Sequence, residues 1–240
     1  MTWCEVVISK KILANAMEFA YKELGEDSSG HDFWHVRRVA ENARRIAIAE
    51  SADPDICELA AMLHDIPDDK RGLSEEEGVS KLKAWLLQTG IETSIMENIL
   101  GIIGTMSFRG GNNPSMSTPE GKVVQDADRL DAMGAIGIAR TFAYSGHIGQ
   151  KIYDPEIKVR TSVTREEYRN SPSTAVNHFH EKLFKLESLL NTKTAKEMAR
   201  ERQKFMEVYL QQFMKEWNLE ECSSVLVKPY GFQVSECNRL

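Results

Sequence analysis

Residues 122–144 read KVVQDADRLDAMGAIGIARTFAY. From Ala132 onward this run is apolar or small on nearly every side of a helix, which predicts a buried helix. Thr118-Pro119-Glu120 supplies a start, with Thr118 as cap and Pro119 in the first turn. One helix is therefore expected from there to about Tyr144. Asp126, Asp128 and Asp131 precede its apolar part, although aspartate is a poor helix former. Asp128 and Asp131 lie three apart and share a face with Val124 and Ala135. A buried carboxylate left alone is costly or shifts its pKa, so such acids are paired or bound to metal. Arg129, Lys122 or Arg140 supplies pairing in the first reading; a metal does so in the second.

Helical periodicity extends in both directions from this segment. Residues 10–24 place Ile12, Leu13, Ala16, Phe19 and Ala20 on one face. Residues 32–50 do the same with Val36, Val39, Ala40, Ala43, Ile46 and Ala47. Residues 54–65 begin at Pro54 and carry Ile56, Leu59, Ala60 and Leu63. Further helices are expected at 74–87, opened by a capped acidic SEEE turn, and at 91–103, 174–190 and 192–217. Residues 104–117 and 145–174 read as loops, and the tail after 217 has no period. The fold class is thus all-α, a single domain over residues 1–217 with a C-terminal tail at 218–240.

Composition excludes several functions. The chain has 240 residues, is 42% hydrophobic and 28% charged, and carries a formal charge of −6. No basic run exceeds two residues, so a nucleic-acid footprint is missing. The four cysteines are scattered, which argues against a zinc finger or a disulfide framework. No segment reaches the roughly 18 apolar residues of a membrane span. The expectation is a cytoplasmic protein with no membrane or nucleic-acid partner; its oligomeric state is left open.

AMLHDIPDD, residues 61–69, delivers His64 and Asp65 at the end of an apolar helix. Pro67 disfavours helix at Ile66, and a helix C-terminus favours a cation. SSGHDFWHVRRVAENARRIA, residues 28–47, carries His31 and, flanking its apolar stripe, His35. A lone histidine or one HD dipeptide is unremarkable. A histidine on one helix, His-Asp ending the next and an aspartate on a third form a stronger set. Two imidazoles with two carboxylates suit a borderline divalent ion such as Mn, Fe, Co, Ni or Zn better than calcium.

The order H…HD…D resembles the pattern of the HD-domain metal-dependent phosphohydrolase superfamily. His35 with Val36 and Val39 is similar to its first motif, AMLHDI to its second and DADRLDA to its last. GHDFWHVRRV, the 122–144 run and NHFHEKLFKL are similar to its bacterial stand-alone subgroup resembling YpgQ and YedJ. The similarity spans roughly residues 10–217. It implies a helical HD-domain bundle with one divalent metal on His35, His64, Asp65 and Asp128, Asp131 being the fallback for the last ligand. Manganese is the first expectation, with Fe, Co, Ni, Zn or Mg as alternatives. The absence of histidine between His64 and His147 favours a single metal, although Asp68 and Asp69 are placed to recruit a second.

The resemblance also implies action on a small nucleotide, with a (deoxy)nucleoside triphosphate split to monophosphate and pyrophosphate as the most specific activity. Asp65, Asp68, Asp69 and Lys70 are the catalytic candidates. Substrate-binding candidates are His31, Arg37, Arg38, Arg109, Asp131 and His178. The rivals are a nucleoside monophosphate phosphatase or phosphodiesterase and, in another class, a metal- and nucleotide-binding module without turnover.

Overall fold

A computed structural model describes residues 8–25, 30, 32–67, 74–106, 116–160 and 171–219. Helix α1 (Lys10–Leu24) opens at Ser9, whose hydroxyl accepts from the Ile12 amide. Helix α2 (Phe33–Glu50) opens at Asp32, whose carboxylate accepts the His35 amide at 2.9 Å. The acid of the first HD dipeptide is therefore a helix cap. Helix α3 (Pro54–Leu63) is capped by Asp53 and stops at His64, where the Ile66 amide turns back to the Leu63 carbonyl. Helices α4 (Glu75–Gln88) and α5 (Thr93–Thr105) follow, α4 with a complete capping box between Ser74 and Glu77.

Helix α2 is the hub. Its face of Val36, Val39, Ala40, Ala43, Ile46 and Ala47 is at most 1% exposed. It packs mainly on α3 and on α6 (Pro119–Asp131), while α3 also meets α1, α5 and α6. Alanines on this face let the helices approach closely, and each fully buried valine or isoleucine contributes about 1.5–3 kcal/mol. Helix α4 holds the turn after α3: a Cβ on Gly78 would lie 2.6 Å from the Pro67 Cα, so only glycine permits this approach.

The helix expected from Thr118 to Tyr144 is broken. Helix α6 ends at Asp131, Met133 is extended, and α7 (Gly134–His147) starts anew. Gly134 has φ +72°, which an L side chain rarely adopts. The break has a chemical result. In one continuous helix, residues 131 and 140 would face opposite sides and stand about 13.5 Å apart. With the break, the Arg140 Nη1 reaches the Asp131 Oδ2 at 2.9 Å.

The helix expected over 174–190 is also divided, into α8 (Ala175–Glu181), a 3-10 turn (Leu183–Lys185) and α9 (Leu186–Leu189). Glu181 turns inward to Arg160 and the Ser173 hydroxyl, and the chain leaves helical geometry at Lys182. Helix α10 (Lys193–Trp217) is the last described helix. No strand occurs among the described residues.

The chain divides into two units, residues 1–206 and 207–240. The first holds the bundle. The described part of the second is the last stretch of α10, where Tyr209, Phe213 and Trp217 form a ladder with ring centroids 6.5 and 6.0 Å apart. Of the tail expected at 218–240, residues 220–240 lie outside the described residues. No described helix is long and apolar enough to cross a membrane.

Candidate metal centre

Three helices converge on one point. Helix α2 contributes His35 from its first turn, the end of α3 contributes His64 and Asp65, and the last turn of α6 contributes Asp128. The His35 Nε2 lies 3.3 Å from the His64 Nε2, 3.3 Å from the Asp65 Oδ2 and 3.5 Å from the Asp128 Oδ1. The His64 Nε2 lies 3.3 Å from the Asp65 Oδ1 and 3.8 Å from the Asp128 Oδ1. His35 is fully buried, and His64 and Asp65 are at most 9% exposed. The Asp128 side chain retains 36% exposure, so the cluster is enclosed by protein but open on one side.

The outer nitrogens fix the tautomers. His35 Nδ1 donates to the Asp131 Oδ2 at 2.7 Å, and His64 Nδ1 donates to the Ala61 carbonyl at 2.7 Å. Each Nε2 is thereby directed into the group, and it is a lone pair when its imidazole is neutral. With both imidazoles neutral, two lone pairs face each other beside two carboxylates, and a cation, whether a proton on the His35 Nε2 or a metal ion, resolves the repulsion. Donors each about 2.1 Å from one ion stand roughly 3.0 Å apart at a right angle and 3.4 Å at the tetrahedral angle. The observed separations among His35, His64 and Asp65 fall there, so the donor set fits a small divalent ion.

The field also favours positive charge. Burial lowers the His35 imidazole, but hydrogen bonds to Asp131 and Asp65 outweigh it and raise its pKa to about 9. Burial would raise Asp128, yet the His64 and His35 imidazoles hold it below the ordinary carboxylate range.

Asp131, expected to face substrate or to be the alternative ligand, stands behind His35. Its side chain is 2% exposed and accepts from His35, from the Arg38 Nε at 2.7 Å and Nη2 at 3.0 Å, and from Arg140. These donors hold its carboxyl well below the ordinary range against the cost of burial. A carboxylate so engaged orients the His35 ring. Arg38 thus gives Nε and Nη2 to Asp131. Arg37, half-exposed, pairs with Glu41 at 3.1 Å and lies over the Trp34 ring. His178 is pushed down to about 3 by burial, and its charged neighbours are Lys182, Glu181 and Arg160 rather than the cluster. His31, Asp68, Asp69, Lys70 and Arg109 lie outside the described residues.

The roles of two residues escaped the sequence reading. Arg140, considered only as a generic ion-pair partner, is a cation beside the cluster and acts on both His35 and Asp128. Asp126 takes no part: it is fully buried and accepts the Asn191 and Thr192 amides and the Thr192 hydroxyl, tying α6 to the start of α10. Hydrogen bonds from the chain, not a salt bridge, satisfy it.

The HD domain family matches residues 33–133, a span that holds all four converging residues. The chain belongs to this family and is a metal-dependent phosphohydrolase. Among its relatives, the Bacillus subtilis protein YpgQ is 38% identical over 195 residues, covering 80% of this chain and 87% of YpgQ. A crystal structure from Lactobacillus plantarum superimposes with a TM-score of 0.81 at 44% identity, covering 89% of this chain and 100% of that one. An HD-superfamily hydrolase from Bacillus thuringiensis gives 0.67 at 42% identity, covering 87% and 98%. YpgQ has been solved in complex with ADP, and that structure gives 0.67 at 36% identity, covering 85% and 97%.

Proposed function

We propose that the enzyme hydrolyses a small nucleotide, with a (deoxy)nucleoside triphosphate giving monophosphate and pyrophosphate as the favoured reaction. His35, His64, Asp65 and Asp128 are the proposed ligands of one divalent ion, manganese first among the candidates. The carrying observation is the pair of Nε2 atoms set 3.3 Å apart against two carboxylates, at the spacing of donors around one small ion. Nucleotide as the substrate class is supported by the ADP complex of YpgQ. The scattered cysteines, with Cys57 free and buried, support a cytoplasmic setting.

A divalent ion bound there supplies a Lewis acid and makes hydroxide available from water near neutral pH. The protein does the rest. Asp131 keeps the His35 proton on Nδ1, and the Ala61 carbonyl keeps the His64 proton on Nδ1, so both Nε2 atoms point inward without reorganisation. Arg140 adds fixed positive charge beside Asp128, where negative charge grows on the phosphoryl oxygens during attack. Asp128, on the open side, is the ligand nearest to incoming substrate.

The test is hydrolysis of nucleotides in oxygen-18 water with several divalent ions, reading phosphate and pyrophosphate separately. Label on the α-phosphorus or in pyrophosphate is the expected result. Release of phosphate from monophosphates, with triphosphates inert, moves the assignment to a nucleotidase. Elemental analysis of His64→Ala should show the metal lost, and retention of metal would remove His64 from the ligand set.

A further inference from the structure

Asp131 has a second neighbourhood. A cavity of about 330 Å³ is bordered by Asp131, by Arg38, Glu41 and Asn42 of α2, by the first turn of α7 and by Arg202 of α10. None of the four proposed ligands borders it. It is a separate space that shares one wall with the orienting residue of the metal centre.

Its chemistry is that of an anion site. Arg38 uses Nε and Nη2 on Asp131, which leaves Nη1 for another acceptor, and its side chain is 34% exposed. Arg202 gives Nη1 to the Leu130 carbonyl, and its stem lies across Gly134, where a Cβ would stand 3.1 Å from the Arg202 Cγ. A side chain there would press on the Arg202 stem, and the φ of +72° already disfavours one. The Arg202 Nε and Nη2 and the Asn42 amide make no bond to the described residues. The α7 cap, Met133, offers no side-chain bond, so the first amides of α7 add to the donors. Two carboxylates also border the space. Asp131 is compensated by Arg140, which does not border the space, and Glu41 is paired with Arg37. The net balance is two guanidinium groups and several uncommitted N–H donors, a set suited to phosphate oxygens.

We propose that this cavity is a second anion site for phosphate or pyrophosphate groups, distinct from the metal centre. Its occupant shares Arg38 with Asp131, so binding there bears on the hydrogen bond that orients His35. The chemistry is met equally by an inorganic anion and by the phosphate tail of a nucleotide.

The experiment is calorimetric titration of sodium pyrophosphate into the metal-free full chain. One pyrophosphate per chain is expected, and His64→Ala should bind it as well as the parent does. Arg202→Gln should weaken binding by about tenfold or more, the effect of one lost charge-assisted bond. Ala135→Glu should abolish it; this exposed first-turn position favours an acid, so the fold is retained and circular dichroism checks it. A parallel titration with a nucleoside triphosphate distinguishes the sources: equal affinity assigns the phosphate group alone, and tighter binding extends the occupant to the nucleotide. The nitrogen-15 histidine spectrum should show the His35 ring moving with pyrophosphate in the parent and not in Ala135→Glu. No binding of either probe at millimolar concentration overturns the site, as does undiminished binding in both Arg202→Gln and Ala135→Glu. Binding that leaves the His35 signal unmoved overturns the link to the metal centre.

Discussion

Asp131 makes no contact with the point where the metal donors meet, yet it sets the direction of one of them. Asp131→Asn keeps the shape and removes the charge that fixes the His35 tautomer. The expected result is a loss of metal affinity of about 10- to 100-fold, with the fold intact, measured by competition with a chromophoric chelator. An affinity within twofold of the parent would reduce Asp131 to a packing role. The four proposed ligands were legible as residue types because imidazoles and carboxylates on apolar helix faces are expensive without a partner. The division of labour between Asp128 and Asp131 was not. Both share a helical face in sequence, and only the burial of one and the exposure of the other separates their tasks. Asp126 shows the opposite limit, since a turn 65 residues away satisfies it and no local pattern announces that.

Single helices were read well where caps and periodicity agree, as in α1 and α4. They were misread where a tertiary contact overrides local preference. The run from Ala132 onward satisfies a buried-helix pattern throughout, so Gly134 looked like a small core residue rather than a left-handed hinge. Likewise the division after Glu181 follows from its contacts with Arg160 and Ser173. The α4 contact yields a prediction. Gly78→Ala drives a methyl into the Pro67 backbone, 2.6 Å from its Cα and two residues after Asp65. The chain must shift, at a cost of about 1–3 kcal/mol, seen as a lower urea midpoint. Metal affinity should fall with it, because the displaced turn carries His64 and Asp65. A destabilised variant with parental affinity would show that α4 supports the fold without positioning the site.

At the scale of the molecule, one buried ion pair couples stability to acidity. Glu181 pairs with Arg160 and accepts the Ser173 hydroxyl with its side chain 2% exposed. Burial would raise its pKa, but the bonds from Arg160 and Ser173 lower it. The group therefore favours the folded state fully above the unfolded glutamate value of about 4.3, and that contribution is lost as pH falls through the depressed folded value. Glu181→Gln removes the charge from this buried pairing with Arg160 and should cost about 3–5 kcal/mol near neutrality. Urea melts of parent and variant from pH 7 to pH 3 should converge toward the acid end; a constant gap would show that the carboxylate charge is not the source. The break between α6 and α7 has a consequence of another kind. Because Arg140 meets Asp131 only by folding back over a count of nine residues, the number of residues between them is itself part of the site. One alanine inserted inside α7 ahead of Arg140 would leave every side chain in place by name and every helix intact by composition. It would nevertheless swing the guanidinium about 100° around the helix axis. At this hinge chain length acts as a coordinate, and indels here are more damaging than most substitutions.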